Sequence, residues 1–151
     1  MLFRSRSLAR EQAVYMRALC WFYQGKYKET KAGFDQYQTD FAGKGKFLPD
    51  VRYRQAIVKF GLNPPETAET LRLCNEWLKD YAVSKDESVV NQIPEVHTLI
   101  GDAEMRLATE LDKYIRKADE SARTNAAPET KKKFLAEKAR FEKEKDGHTS
   151  K

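Results

Sequence analysis

Metal-ligating residues are scarce in this 151-residue chain, which holds two cysteines and two histidines. A protein metal site draws three or four such ligands together, and His97, His148, Cys20 and Cys74 are scattered along the chain. No metal and no cofactor is therefore expected. Each cysteine lies among apolar residues at helical spacing, where a free thiol behaves as a small hydrophobe, so both are expected in the core rather than in a disulfide. Glycine and proline are also few, seven and five, which favours long regular elements. No apolar stretch approaches the ~20 residues needed to span a bilayer; the longest, Val14 to Tyr23, is interrupted by Arg17. The basic start, Met1-Leu-Phe-Arg-Ser-Arg-Ser, lacks the apolar segment and cleavage site of a secretory leader. The default expectation is a cytoplasmic protein, or a periplasmic one if the chain is a fragment of a longer envelope protein.

Catalytic patterns are missing as well. His97 has no nucleophile motif and no orienting acid at short range. Gly43-Lys-Gly45 lacks the spacing and the strand-to-helix context of a phosphate loop. These absences point away from an enzyme and from a small-molecule substrate. Alternation of apolar and polar residues between turn signals is absent too, so no strands are expected.

What the chain does have is charge, at 34%, beside 40% hydrophobic residues, a globular composition with a heavily solvated surface. The net +5 is concentrated at the ends. Residues 1–10 carry three arginines and no acid, and residues 131–151 carry eight Lys/Arg against four Asp/Glu, so the body between them is slightly acidic at −2. That distribution argues against a nucleic-acid-binding face on the core. Lys131-Lys-Lys133 is followed by acids and lacks interleaved stacking aromatics beyond Phe134 and Phe141, as expected of a solvated helix.

The periodicity is helical throughout, and the expected class is all-α. A first helix, apolar on nearly every side and so expected to be buried, runs from an N-cap at about Ser7 to Gln24 and ends at Gly25. Tyr27, Thr30, Phe34, Tyr37 and Phe41 form one stripe of a second helix, and Ala42-Gly-Lys-Gly-Lys46 is a loop. A third helix starts at Pro49 and ends at Gly61; Asn63-Pro64-Pro65 turns the chain into a fourth, Glu66 to Tyr81. The polar stretch Ser84 to Gln92 separates these from a long helix that begins at Pro94 and runs for about six or seven turns. Asn125-Ala-Ala-Pro128 breaks it, a charged helix follows over about 127–145, and residues 146–151 read as a disordered tail. The domain expected from this pattern covers 7–122, with hairpins at about 7–42 and 49–81 and a third unit from 94.

Two helices repeat one another. Thr30, Phe34, Tyr37 and Phe41 are matched by Thr70, Cys74, Trp77 and Tyr81, at an offset of 40. Tandem hairpins of one design are the signature of a helical solenoid. Ala18 and Trp21, followed by Gly25-Lys-Tyr27 at the turn and Phe34 seven residues later, resemble the tetratricopeptide repeat family, and Phe22-Tyr-Gln-Gly-Lys-Tyr27 is the best single match. Thr30 and Thr70 depart from it, standing where the family usually carries alanine. The resemblance is to divergent repeats of the kind found in bacterial cell-envelope proteins. It implies a non-catalytic scaffold that binds a protein or peptide segment on its concave face. Ala18, Trp21, Gly25, Tyr27, Phe34, Tyr37, Phe41, Cys74, Trp77 and Tyr81 are then packing positions. Tyr15, Tyr23, Tyr53 and Trp77 lie at stripe edges, and the first three are the candidate partner-binding residues. Two alternatives stand beside this: residues 94–145 as a self-associating or capping hairpin, favoured if Leu107 and Leu111 are exposed, and weak nucleic-acid binding through the basic tails.

Overall fold

The computed structural model describes residues 2–124 and 128–149, and among them there are seven helices and no strand. These are α1 (Leu2–Tyr23), α2 (Tyr27–Asp40), α3 (Leu48–Gly61), α4 (Thr67–Tyr81), α5 (Glu87–Val90), α6 (Ile93–Thr124) and α7 (Pro128–Thr149). The chain divides into two compact units, Met1–Ile100 and Gly101–Lys151.

In the first unit α1 packs on α2, α2 on α3, and α3 on α4. Two core clusters of one design lie in it. The first joins Tyr15 and Ala18 of α1 to Phe34 and Tyr37 of α2 and to Val51 of α3. The second joins Ala56 of α3 to Cys74 and Trp77 of α4 and to Val89, Val96 and Leu99 beyond them. Three of the four pairs at the offset of 40, Thr30 with Thr70, Phe34 with Cys74 and Tyr37 with Trp77, are buried in both members. Thr30 and Thr70 are both wholly buried, and each returns its hydroxyl to the carbonyl four residues back, Lys26 at 2.8 Å and Glu66 at 3.0 Å. A threonine can occupy this packed position because that bond satisfies its only polar group. The ring pairs repeat as well: Tyr37 and Phe41 have centroids 5.1 Å apart, Trp77 and Tyr81 5.2 Å.

Glycine fixes two places. Gly25, at φ +69°, reverses the chain between α1 and α2 in a conformation that side chains resist. Gly33 lets those helices touch, since a Cβ there would lie 2.8 Å from the Cβ of Ala18. Gly33 and Ala18 together allow this close approach.

Several boundaries and environments differ from expectation. Helix α1 begins at Leu2, which puts Ser7 in its second turn instead of at a cap. It is not buried all round: with α2 and α3 as its neighbours, Leu8, Met16 and Tyr23 stay exposed. Cys20 is likewise exposed, on the side of α1 away from Tyr15, and only Cys74 is a core thiol. The stretch Ser84 to Gln92 contains α5, nucleated by Asp86, whose carboxylate caps Ser88 N at 2.9 Å and so brings Val89 into the second cluster. At 32 residues α6 runs about nine turns, against the six or seven expected. Helix α7 continues through residues 146–149, which the charge pattern assigns to a tail. The break expected at 125–127 lies outside the described residues.

In the second unit, residues 101–124 of α6 and α7 run antiparallel. Asp119 meets Lys138 at 3.1 Å and Asp112 meets Lys145 at 2.5 Å, seven residues on in one helix and seven in the other. Tyr114 stacks on Phe141 between these rungs, with centroids 5.4 Å apart.

Candidate functional site

Along α1 and α3 the contacts step in the same direction: Tyr15 meets Phe47 and Asp50, and one to two turns later Phe22 and Tyr23 meet Arg54. These two helices, the first of each hairpin, therefore lie side by side and parallel.

Asp50 is the hub of their contact. Its carboxylate accepts from the Tyr15 hydroxyl at 2.7 Å, Arg54 Nε at 2.6 Å and Gln92 Nε2 at 2.7 Å. Burial, reinforced by the hydrogen bond to Asp50, pushes the Tyr15 phenol up to about 12. Held at Nε, the Arg54 guanidinium lies 5.1 Å from the Phe22 ring centre and 5.4 Å from that of Tyr23. Cation–π contacts of this kind contribute about 0.5–2 kcal/mol, according to desolvation. Desolvation opposes the charge on Arg54, but the bond and charge of Asp50 outweigh it and raise the group above its ordinary value.

The three candidate partner-binding tyrosines have different environments, and only Tyr15 and Tyr23 meet the hub residues. Tyr23 is 71% exposed. Tyr53 is half-buried against the second cluster, and burial together with the charge of Glu95 raises its phenol to about 12. Tyr15 is 9% exposed, stacked at 4.3 Å on Phe47 with its hydroxyl committed to Asp50. It is thus a packing residue, a correction that follows from its facing α3 directly. Trp77, also read at a stripe edge, is wholly buried and donates from Nε1 to the Pro49 carbonyl at 2.8 Å.

Among the other packing positions Ala18, Phe34, Tyr37 and Cys74 are buried, while Trp21, Tyr27, Phe41 and Tyr81 are half-buried. Burial alone raises the Cys74 thiol to about 12.

Residues that periodicity did not single out complete the face. Leu8 (49% exposed), Met16 (46%) and Tyr23 lie along one side of α1, with half-buried Leu19 between them. Glu11, on the same helix but buried, accepts from the Tyr37 hydroxyl at 2.6 Å and from Lys46 N at 2.5 Å. The Tyr37 oxygen accepts in turn from Phe47 N at 2.9 Å. Burial and the bond to Glu11 raise the Tyr37 phenol well above its usual range. This chain ties the 41–47 loop to α1 and α2 and sets the angle at which α3 enters beside α1. A glutamate inside an apolar stripe was the available signal for it.

A cleft of about 260 Å³ opens beside the hub, lined by Tyr15, Phe47, Asp50, Asp86, Val89 and Gln92. On the α2 and α4 side, a groove of about 390 Å³ carries Lys31, Asp35, Glu69, Arg72 and Glu76. Those charges are paired with one another at 2.5–2.6 Å, as in Lys31–Asp35 and Arg72–Glu76, which leaves little unmatched charge for a ligand.

Among the described residues no group of three or more His, Cys, Asp or Glu is placed to hold a metal ion. His97 is exposed. No described helix is long and apolar enough to cross a membrane. Lys132 and Lys133 are exposed on α7; the side chains of Arg4 and Arg6 in the basic start, and that of His148, lie outside the described residues. No family model matches the chain, and neither a curated protein nor a solved structure shows significant similarity to it.

Proposed function

We propose that this chain is a non-catalytic helical-repeat scaffold of tetratricopeptide-like design, and that the face carried by α1 and α3 binds an extended or helical segment of a partner protein. The observation that carries the reading is the exposed strip of Leu8, Met16 and Tyr23 on α1, which runs beside an arginine that Asp50 holds in place. Large apolar side chains left exposed along one helix mark a protein-contact surface more often than scattered single residues do. The burial of matched positions 40 residues apart, the parallel course of α1 and α3, and the close approach of Gly33 to Ala18 support a tetratricopeptide-like design. Within this reading Tyr23 is the aromatic anchor, Arg54 fixes its ring by stacking, and Met16 and Leu8 extend the apolar track toward the start of α1.

The test is selection of binding peptides from a random display library against the full chain, followed by affinity measurement on Tyr23→Ala, Met16→Ala and Arg54→Ala. Selected peptides are expected to lose affinity by about 1–2 kcal/mol for Tyr23→Ala, with the circular dichroism of the variant unchanged. Peptides that bind all three variants as well as the parent would overturn the assignment of this face.

A further inference from the structure

We infer that residues 101–124 and 128–149 form a self-complementary surface through which two copies of this chain pair, hairpin on hairpin and antiparallel. The inference rests on a different unit from the partner-binding face and is independent of it.

A hairpin of two helices leaves apolar surface uncovered wherever nothing further packs on it. Tyr114 is 56% exposed, and Phe134 and Phe141 are half-buried. With Ala118 these rings line an open cavity of about 240 Å³, rimmed by Lys117 and Glu137. Leu107 is half-buried and Leu111 buried, so neither supplies the surface for pairing that the sequence pattern suggested. The groove supplies it instead.

Charge identifies the occupant. The tip of the hairpin, residues 113–124 of α6 with 132–138 of α7, carries seven Lys/Arg against three Asp/Glu, a net +4. Its root, residues 101–112 together with 139–149, carries four against seven, a net −3. The rim of the groove has the same polarity. Lys117 belongs to the tip, and so does Lys133, one turn before Glu137. Glu110, one turn before Tyr114, and Glu144, two turns after Glu137, belong to the root. A two-fold axis across the groove sets the tip of one copy on the root of the other, so every excess charge meets its opposite while the rings of both grooves cover each other. Parallel pairing would set +4 on +4 and is excluded by repulsion. A contact related by a two-fold axis uses one patch twice and closes on itself, so it yields a dimer and not a filament.

The experiment is sedimentation velocity on the full chain over a concentration series at low and at high salt. The expected result is a species of twice the 17.5 kDa chain mass at low salt, with a dissociation constant that rises roughly tenfold or more at high salt. Lys117→Glu with Lys133→Glu makes one variant, and Glu110→Lys with Glu144→Lys makes the other. Each is expected to be monomeric alone, and their equimolar mixture to recover the dimer, because each now complements only the other. Tyr114→Ala, which leaves the charges intact, is expected to weaken the parent dimer. A parent chain that stays monomeric throughout the series at low salt, or charge variants that dimerise as the parent does, would overturn the inference. So would a mixture that fails to recover the dimer while both variants keep their helical circular dichroism.

Discussion

Replacing Tyr37 by phenylalanine removes one oxygen atom and tests whether the buried polar chain organises the first unit. The ring is wholly buried and keeps its packing, so the loss is confined to two hydrogen bonds: the donation to Glu11 at 2.6 Å and the acceptance from Phe47 N at 2.9 Å. A bond to a charged group contributes about 1.5–3 kcal/mol, and a buried amide left without an acceptor costs about 1–3 kcal/mol. Glu11 keeps its bond from Lys46 N, which softens the first loss, and the expected destabilisation is about 2–4 kcal/mol. For a protein of this size that lowers the melting temperature by roughly 4–16 °C. The readout is specific to the first unit because both tryptophans, Trp21 and Trp77, lie in it. Urea titration followed by tryptophan emission therefore monitors this unit, while circular dichroism follows both. Combining Tyr37→Phe with Glu11→Leu should cost less than the sum of the two single changes, since the carboxylate that lost its donor is gone. A loss below about 0.5 kcal/mol for Tyr37→Phe, or strict additivity with Glu11→Leu, would show that this chain of bonds is not what positions the 41–47 loop.

Three further outcomes are expected. Raised phenol and thiol values mean that the folded state keeps protons which the unfolded chain releases, so the stability associated with Tyr15 and Cys74 is complete below pH 9 and declines as pH climbs toward 12; an alkaline titration by tryptophan emission checks this, and Cys74→Ala should move the onset upward. Gly33→Ala places a Cβ 2.8 Å from that of Ala18 and forces α1 and α2 apart, a net cost of about 1–2 kcal/mol even after the gain in helix propensity, read by urea denaturation. A chain ending at residue 92 lacks Val96 and Leu99, which close the second cluster over Trp77, and at about 1.5–3 kcal/mol for each buried aliphatic side chain it should melt without cooperativity, whereas a chain ending at residue 100 should keep a cooperative tryptophan transition.

Local rules in the sequence determined the all-helical class, the ends of α2, α3 and α4 to within a residue or two, the turn at Gly25 and the repeat at an offset of 40. Each of these depends on neighbours a few residues away: the 3.6-residue period, the left-handed glycine, the prolines at helix starts. The same rules placed Thr30, Phe34, Tyr37 and Cys74 in the core, because a stripe at that spacing on a helix has to face something apolar. Periodicity says how wide an apolar stripe is, but not which part of it a neighbour covers. Only the tertiary structure decided that Tyr15 is packed and Tyr23 exposed, two residues of one type eight positions apart on α1, since the choice turns on where α3 lies. The Asp50 hub was equally invisible, because it joins Tyr15, Arg54 and Gln92 across as many as 42 positions of sequence. The short helix at Asp86 forms where Val89 finds a core to enter, and four residues without that core would not hold a helix. Helical spacing thus selected the residues that could pack or bind, and the packing of α1 against α3 assigned each of them to one role or the other.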